Sequence, residues 1–272
     1  MAKFIAACIQ MNSGNDIKKN VARVAELARE AADKGADFIT TPENVVLMSR
    51  GSKEQFEKSY GVDDHPGLLG MREIAADLKK WFLVGSLAVK REGEKKLANC
   101  SYLLNPKGEV VQHYDKIHLY DVQLENGEVY DESTRYLSGN QLKTAELPWG
   151  RLGMTICYDV RFPHLFRSLA HAGAHFITVP SAFVKYTGIA HWHTLLRARA
   201  IENASYIFAP AQTGKHPSGR ETYGHSLIVD PWGNILADAK DGEKVITAEI
   251  DTARVEKVRK SLPSLKHDRK FS

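Results

Sequence analysis

Residues 153–163 have the sequence Gly-Met-Thr-Ile-Cys-Tyr-Asp-Val-Arg-Phe-Pro, and they join two different kinds of predicted secondary structure. The apolar run that ends at Ile156 predicts a short buried strand. After Pro163, apolar residues recur at helical spacing and predict an amphipathic helix; they are Leu165, Phe166, Leu169 and Ala170. A strand followed directly by a helix is typical of a chain that builds a sheet covered by helices.

Cys157 lies at this predicted junction. Backbone N–H groups and the positive dipole end of a following helix favour a thiolate over a thiol, and the thiolate is the reactive form of cysteine. We therefore expect a reactive nucleophile at Cys157. The alternative is an inert, buried structural cysteine.

The rest of the chain alternates in the same way. Strands are predicted at Phe4–Ile9, Ala36–Thr40, Phe82–Leu87, Cys100–Leu104, Val110–Tyr114, Ala174–Val179, Tyr206–Ala211, Ser226–Val229, Ile235–Asp238 and Val245–Ile250. Helices are predicted at Asp16–Asp33, Leu68–Lys80, near Trp192–Asn203 and at Ala253–Lys260. Early alternation with hairpins later predicts a mixed α/β (α+β) fold in one domain over residues 1–272. The polar segment Leu124–Gln141 is long for a loop, and such loops are usually functional or disordered.

Composition narrows the class of protein. The 272 residues carry a net charge of +4, and the three cysteines lie far apart. This pattern suits a reducing compartment and disfavours structural zinc, so a cytoplasmic location is expected. No membrane-length apolar stretch or leader is recognised, and the basic C-terminal segment Lys257–Lys270 has no nucleic-acid motif beside it. We expect a small-molecule substrate, with no membrane, nucleic acid, cofactor or metal.

Three charged residues are candidates to share a site with Cys157. Glu43 follows the strand that ends near Pro42, and Lys116 follows the strand that ends at Tyr114. Open α/β sheets place their chemistry at the C-terminal ends of strands. Glu132, in the long middle segment, is a candidate to position Lys116 or the substrate. Taken singly, each of them is more typical of a solvated surface charge.

Other arrangements remain open on spacing alone. Cys157 could pair with a histidine, since His118, His164, His191 and His225 are all available. His191 and His193 stand two residues apart, a spacing that would splay them on a helix, and the remaining ligands of a metal site are not evident. The Lys-Gly pair at 107–108 and the Gly-Lys pair at 214–215 lack the frame of a phosphate-binding loop.

Three blocks, taken together, resemble the nitrilase, or carbon–nitrogen hydrolase, superfamily. They are Pro-Glu-Asn around Glu43, Asp-Lys-Ile-His-Leu around Lys116, and Ile-Cys-Tyr-Asp-Val-Arg-Phe-Pro around Cys157. They occur in the family's order, and the likeness continues to the Asp-Pro-Trp-Gly turn at 230–233 and the Leu-Pro pair at 262–263.

The resemblance implies a four-layer α-β-β-α sandwich. It implies that Glu43 is the general base, Lys116 the oxyanion stabiliser and Cys157 the nucleophile that forms a thioester. Glu132 resembles the family's second glutamate. The backbone N–H of Tyr158 would be the second oxyanion donor, since the residue after a nucleophile often serves this purpose.

Two further segments resemble the Nit branch of amidases within the superfamily: residues 187–202 and the Ala-Gln-Thr-Gly element at 211–214. This likeness implies hydrolysis of deaminated glutathione to 2-oxoglutarate and cysteinylglycine by a homo-oligomer, as a dimer. The alternatives are an ω-amidase or N-carbamoyl amide hydrolase, a true nitrilase, and a non-catalytic binding module on the same fold. Arg161 and Arg199 are cationic candidates for a substrate carboxylate. His164 departs from the family, which commonly has Glu after Arg-Phe-Pro.

Overall fold

The computed structural model describes residues 3–269. Lys270, the last residue of the basic C-terminal segment, lies outside this range. The helices are α1 (Ile17–Asp33), α2 (Ser52–Glu57), α3 (Pro66–Leu78), α4 (Pro163–His171), α5 (Lys185–Asn203) and α6 (Ala253–Ser261), with 3₁₀ turns at Cys157–Arg161 and Ser264–Lys266.

The strands, in chain order, are β1 (Lys3–Gln10), β2 (Phe38–Thr40), β3 (Trp81–Lys90), β4 (Leu97–Leu104), β5 (Val110–Asp115), β6 (Asp121–Gln123), β7 (Val129–Asp131), β8 (Tyr136–Leu137), β9 (Thr144–Leu147), β10 (Gly150–Met154), β11 (Phe176–Thr178), β12 (Tyr206–Ala209), β13 (Thr213–Lys215), β14 (Glu221–Tyr223), β15 (Leu227–Val229), β16 (Ile235–Asp238) and β17 (Lys244–Asp251).

The strands form two large sheets. The first has the order β17-β1-β2-β3-β4-β5, with β8 added beside β4, and the second has the order β16-β15-β12-β11-β10-β9. In each sheet a parallel centre is flanked by antiparallel strands. This is the mixed sheet system that the alternating sequence predicts, since helical crossovers give parallel pairs and hairpins give antiparallel pairs.

Alternation of side chains along the strands creates the layers. In β1, Phe4 and Ala6 enter the core shared with the second sheet, whereas Ala7 and Ile9 enter the core beneath α1 and α3. Successive strand residues point to opposite faces, so one strand serves both cores. Helices α4 and α5 pack on the second sheet. The result is the expected α-β-β-α sandwich.

Local sequence explains where α1 begins. The side chain of Asp16 accepts a hydrogen bond from the N–H of Lys19, which caps the free donors of the first turn. Val24, Leu27 and Ala31 then lie on the buried face. Spacings of three and four residues bring such positions onto one side of a helix.

Two predicted boundaries were wrong. Helix α5 begins at Lys185, seven residues before Trp192, because the polar and small residues of its first two turns carry no clear amphipathic pattern. The segment Leu124–Gln141 is not one structureless loop, since β7 pairs with β6 and β8 pairs with β4. Strands of two or three residues are too short to show a periodicity.

Candidate active site

Glu43 lies just beyond the C-terminal end of β2. The hydroxyl of Thr41 donates to the carbonyl of Leu83 and accepts from the N–H of Gly85, both at 3.0 Å. A Cβ atom on Gly85 would lie 2.0 Å from the carbonyl oxygen of Thr41. Glycine at 85 therefore lets the backbone approach closely enough to direct the Glu43 side chain inward, where it is only 3% exposed.

Lys116 lies one residue beyond β5. Its N–H donates to the carbonyl of Asn99 at 2.9 Å, and its carbonyl accepts from Gly139 at 2.8 Å. Its ammonium group lies 3.0 Å from Glu43 Oε1 and 2.8 Å from Glu132 Oε2. A single buried cation therefore joins two carboxylates that are 89 residues apart in the chain.

Glu132 lies between β7 and β8. Besides Lys116, its carboxylate accepts a hydrogen bond of 2.6 Å from the N–H of Tyr120. The amide of Asn99 donates to both carboxylates, at 3.0 Å to Glu43 and 3.3 Å to Glu132. Glu132 therefore contacts Lys116 directly, and its expected role of positioning this lysine stays a prediction.

Cys157 follows β10 with φ of +47°, a left-handed backbone conformation that a residue with a side chain seldom adopts. Its N–H donates to the carbonyl of Pro180 at 2.9 Å. A short 3₁₀ turn begins at Cys157, and Tyr158 occupies its second position, where an N–H group has no acceptor within the turn. The backbone N–H of Tyr158 is therefore a hydrogen-bond donor beside the thiol.

The expectation that this junction stabilises a thiolate was wrong. Burial raises the pKa of Cys157 well above its ordinary value, and the negative charge of Glu43 raises it further. A five-residue 3₁₀ turn separates the cysteine from α4, so the dipole of that helix does not act at the sulfur. The resting group is a neutral thiol that faces a carboxylate.

The two groups beside the thiol are held in their charged forms. Burial alone would raise the pKa of Glu43, but Lys116 and then Arg220 bring it below its ordinary value. Burial would likewise lower the pKa of Lys116, but Glu132 and Glu43 hold it well above its ordinary value. A protonated lysine and an ionised glutamate therefore coexist next to a protonated thiol.

Asp159 ties the cysteine turn to the lysine segment, and sequence reasoning missed this role. Its buried carboxylate accepts from the N–H of Ile156 at 2.8 Å and from the hydroxyl of Tyr114 at 2.7 Å. It also bonds the N–H and the ring Nδ1 of His118, at 3.1 and 2.7 Å. The only signal in the sequence is its place two residues after Cys157.

A cavity of about 590 Å³ opens onto these groups. Glu43, Lys116, Glu132, Cys157 and Tyr158 all line it, so the five site residues predicted from the sequence come together. A cavity of this size suits a small-molecule ligand. Of the described residues that line it, none is a histidine, which disfavours the Cys–His pairing left open by the sequence.

The cavity also receives cations that the sequence did not indicate. Arg50, Arg135 and Arg220 lie in its lining. The guanidinium of Arg220 lies 5.2 Å from the ring centroid of Tyr130. No spacing rule connects these arginines, because they lie on separate loops that only the fold brings together.

Of the two arginines proposed for a carboxylate, Arg199 has a structural role. It is buried, donates to the carbonyl of Val160 at 2.8 Å and pairs with Glu202 at 2.9 Å. Arg161 lies against the rings of Tyr158 and Phe183, 5.9 and 5.3 Å from their centroids. His164 is exposed, and its ring meets that of His118 edge-on.

A cluster that sequence spacing did not reveal lies away from the cavity. Ligand atoms of His193, His225 and Asp238 lie within 4.8 Å of one another. The Lys240 ammonium contacts the same carboxylate at 2.7 Å, so this group carries its own positive charge. Hydrogen bonds among the four side chains account for the arrangement without a metal ion.

Within residues 3–269, no helix combines the length and the apolar character needed to cross a bilayer.

Comparison with known proteins agrees with this geometry. The chain is 39% identical to a deaminated glutathione amidase of Yersinia enterocolitica over 266 residues, which is 97% of this chain and 92% of that protein. It is also 39% identical to the Homo sapiens deaminated glutathione amidase, covering 98% of this chain and 82% of that one.

Solved structures give the same picture. The C. elegans NitFhit protein superposes with a TM-score of 0.92 at 34% identity, covering 99% of this chain, which spans 66% of that one. Saccharomyces cerevisiae Nit3, of the nitrilase superfamily, superposes with a TM-score of 0.87 at 28% identity, covering 96% of this chain and 94% of that one. A sequence model described as carbon–nitrogen hydrolase matches residues 5–260. With that match and these full-length relatives, the chain belongs to the carbon–nitrogen hydrolase family and is an enzyme of the amidase type.

Proposed function

We propose that Glu43, Lys116 and Cys157 form the catalytic set of this amidase, and that its substrate is deaminated glutathione. The observation that carries the proposal is the position of the Lys116 ammonium between Glu43 and Glu132, in a cavity that also holds the thiol. A base, a cation and a nucleophile thus meet at one point, as acyl transfer requires.

In the first half of the reaction, Glu43 takes the proton of Cys157 as the sulfur attacks the amide carbonyl. Negative charge develops on the carbonyl oxygen, where the Lys116 ammonium and the N–H of Tyr158 stabilise it. Protonated Glu43 then returns its proton to the leaving nitrogen, and cysteinylglycine departs. The acyl group remains on Cys157 as a thioester.

In the second half, water replaces the departed amine. Glu43 takes a proton from that water, which attacks the thioester carbonyl, and the same donors stabilise the second oxyanion. The sulfur leaves and regains a proton from Glu43, and 2-oxoglutarate is released. One carboxylate can act in both directions because it is ionised in the resting enzyme, where it can accept a proton, and is a strong donor once it is protonated.

The cavity supports a substrate that carries carboxylates. Its volume of about 590 Å³ is in the range of pockets that take small molecules. Arg50, Arg135 and Arg220 supply positive charge along its lining. Guanidinium groups bind carboxylates through paired, charge-assisted hydrogen bonds, and deaminated glutathione carries a carboxylate at each end.

Intact-protein mass spectrometry with a substrate panel tests the proposal. Deaminated glutathione should give the 2-oxoglutarate acyl adduct on Cys157 and the highest kcat/KM, compared with 2-oxoglutaramate and N-carbamoyl amides. Cys157→Ala should remove the adduct and lower kcat by ~10³-fold or more while the thermal unfolding curve is unchanged. Turnover by Cys157→Ala near the parent rate would refute the nucleophile, and a better rate on another amide would refute the substrate.

We also propose that the enzyme is a cytoplasmic homo-oligomer. The three cysteines are free, as is usual in a reducing compartment. Helix α5 exposes apolar side chains, with Ile189 66% and Ile201 44% accessible, which favours burial against a second copy. Light scattering on the purified enzyme should give a multiple of 30.4 kDa; a value equal to the chain mass at assay concentration would refute it.

A further inference from the structure

Arg220 lies just before β14 and reaches the centre of the site from the hairpin that joins β13 to β14. One terminal nitrogen donates to the carbonyl of Ala182. The plane of the guanidinium lies near the ring of Tyr130, on the opposite hairpin of β6 and β7. Its Nε atom is buried and has no hydrogen-bond partner. The side chain is therefore held by one peptide group and one ring.

The same peptide segment reaches Glu43. The N–H of Ala182 donates to Glu43 Oε2 at 2.9 Å, while Oε1 is taken by Lys116 and Asn99, both at 3.0 Å. The hydrogen bond from the Ala182 N–H therefore orients Glu43 Oε2. Because Arg220 binds the carbonyl of Ala182, it also restrains the N–H of the same residue, which donates to Glu43.

We propose that Arg220 is a positioning residue, which clamps the backbone at Ala182 so that its N–H orients the carboxylate of Glu43 toward the thiol of Cys157. This inference rests on the proposed role of Glu43 as general base. It assigns to Arg220 an effect on proton transfer that is independent of any contact with substrate.

The charges around Glu43 agree with this role. The groups that face it are Lys116 after β5, Asn99 on β4, Tyr136 on β8, Cys157 at the 3₁₀ turn and Arg220 itself, with Glu132 behind Lys116. Two carboxylates and one ammonium leave one net negative charge, which Arg220 balances. Its charge lowers the pKa of Glu43 and opposes the burial that raises the pKa of Cys157.

The test uses iodoacetamide, a neutral reagent without a carboxylate, to measure the rate of Cys157 alkylation as a function of pH. Peptide mass spectrometry separates Cys157 from Cys8 and Cys100. In Arg220→Met, the rate curve should move to higher pH and the neutral-pH rate should fall about tenfold, because the base loses both its orientation and a stabilising charge. Arg220→Lys keeps the positive charge but not the branched guanidinium group, so its rate curve should move less than that of Arg220→Met.

Lys185→Met is the matched control. It also removes a positive charge close to the hairpin of β13 and β14, but Lys185 pairs with Glu221 at 2.7 Å and is not among the residues that line the cavity. Its alkylation curve should coincide with that of the parent enzyme. Thermal unfolding of each variant shows whether a rate change accompanies loss of the fold.

Two outcomes would overturn the proposal. One is an Arg220→Met curve that coincides with the parent curve while only the KM for carboxylated amides rises, which would make Arg220 a substrate contact. The other is an equal shift in Lys185→Met, which would attribute the effect to the loss of any nearby positive charge. Alkylation needs no amide turnover, so a failure of the proposed substrate leaves this test intact.

Discussion

At the scale of single residues, the protonation states of Cys157 and Glu43 define the resting site. Cys157 holds its proton in the resting state, and Glu43 is ionised beside it. Reactivity therefore arises from the pair and not from the cysteine alone. We expect such a pair to react when a substrate carbonyl is bound, because the Lys116 ammonium then stabilises the negative charge that develops on the carbonyl oxygen.

The low pKa of Glu43 has a measurable consequence. We expect the acid limb of kcat/KM to lie below pH 4.5, the ordinary value of a glutamate, because the proposed general base, Glu43, accepts a proton only when it is ionised, and its pKa is lowered. Stopped-flow pH jumps measure the rate before any unfolding, and a return to neutral pH that restores activity is the control. An acid limb above pH 4.5 would contradict the expected direction.

Sequence reasoning identified each of these side chains but not the state of the sulfur. Cys157, Glu43 and Lys116 each follow a strand, which made them candidates, but only the resemblance to the carbon–nitrogen hydrolase family joined them into one predicted site. Protonation depends on how deeply the sulfur is buried and on the distance to Glu43. Neither quantity is encoded in the residues adjacent to Cys157.

At the scale of elements, Asp159 makes the 3₁₀ turn and the segment after β5 into one unit. Asp159→Asn replaces one acceptor oxygen by a donor that would face the N–H of Ile156 or the ring of His118. We expect the free energy of unfolding to fall by about 1–3 kcal/mol. We also expect kcat to fall, since Lys116 and Cys157 lose their common anchor; urea unfolding and steady-state kinetics measure both.

Tyr114→Phe is the milder comparison for that prediction. It removes the hydrogen bond of 2.7 Å to the same carboxylate and the one of 3.3 Å from the N–H of Ile117, and should cost about 1–2 kcal/mol, with kcat largely retained. If Asp159→Asn retains the parent kcat, the anchor does not contribute to catalysis.

The contact between β3 and the turn after β2 should be equally sensitive. In Gly85→Ala the new methyl group would overlap the backbone of Thr41 and Pro42, so that the turn carrying Glu43 must shift. A displacement of about 1 Å at a catalytic group can lower kcat by ~10²-fold. Gly14→Ala is the control, since its methyl group would meet only Asn20, at 3.9 Å. Equal kinetics in both variants would refute the prediction.

Elements of different length were not equally predictable. The helix bounded by Asp16 shows a helical period and a capping residue, and the long strands β1 and β3 show as continuous apolar runs. Short strands such as β7 and β8, which carry Glu132 between them, form only because β6 and β4 lie alongside. Tertiary contacts decide such elements, and a local pattern cannot reveal them.

At the scale of the whole molecule, the buried charge cluster links the site to stability. The pKa of Glu43 is lowered in the fold, so its contribution to stability is present above pH 4.5 and is lost as the pH falls through its folded value. The pKa of Lys116 is raised, so its contribution is present below pH 10.5 and is lost as the pH rises through its folded value. The cluster therefore stabilises the protein between these limits.

Removal of the cation alone should be costly to the whole fold. Lys116→Met leaves Glu43 and Glu132 as buried carboxylates without their shared partner, and the free energy of unfolding should fall by about 3–5 kcal/mol at neutral pH. The triple variant Lys116→Met, Glu43→Gln, Glu132→Gln carries none of these three charges and should recover most of that loss. Urea unfolding measures both variants. A triple variant less stable than the single one would refute the account.

The left-handed backbone at Cys157 bears on how a protein of this architecture can change over generations. A cysteine at φ +47° carries conformational strain that glycine would not have. Replacing Cys157 by Gly would remove the proposed nucleophile but relieve the backbone strain at that position. Selection for stability alone therefore does not conserve this cysteine. Related proteins that are no longer selected for catalysis can therefore lose the cysteine and gain stability, whereas the thiol is retained only where its reaction is needed.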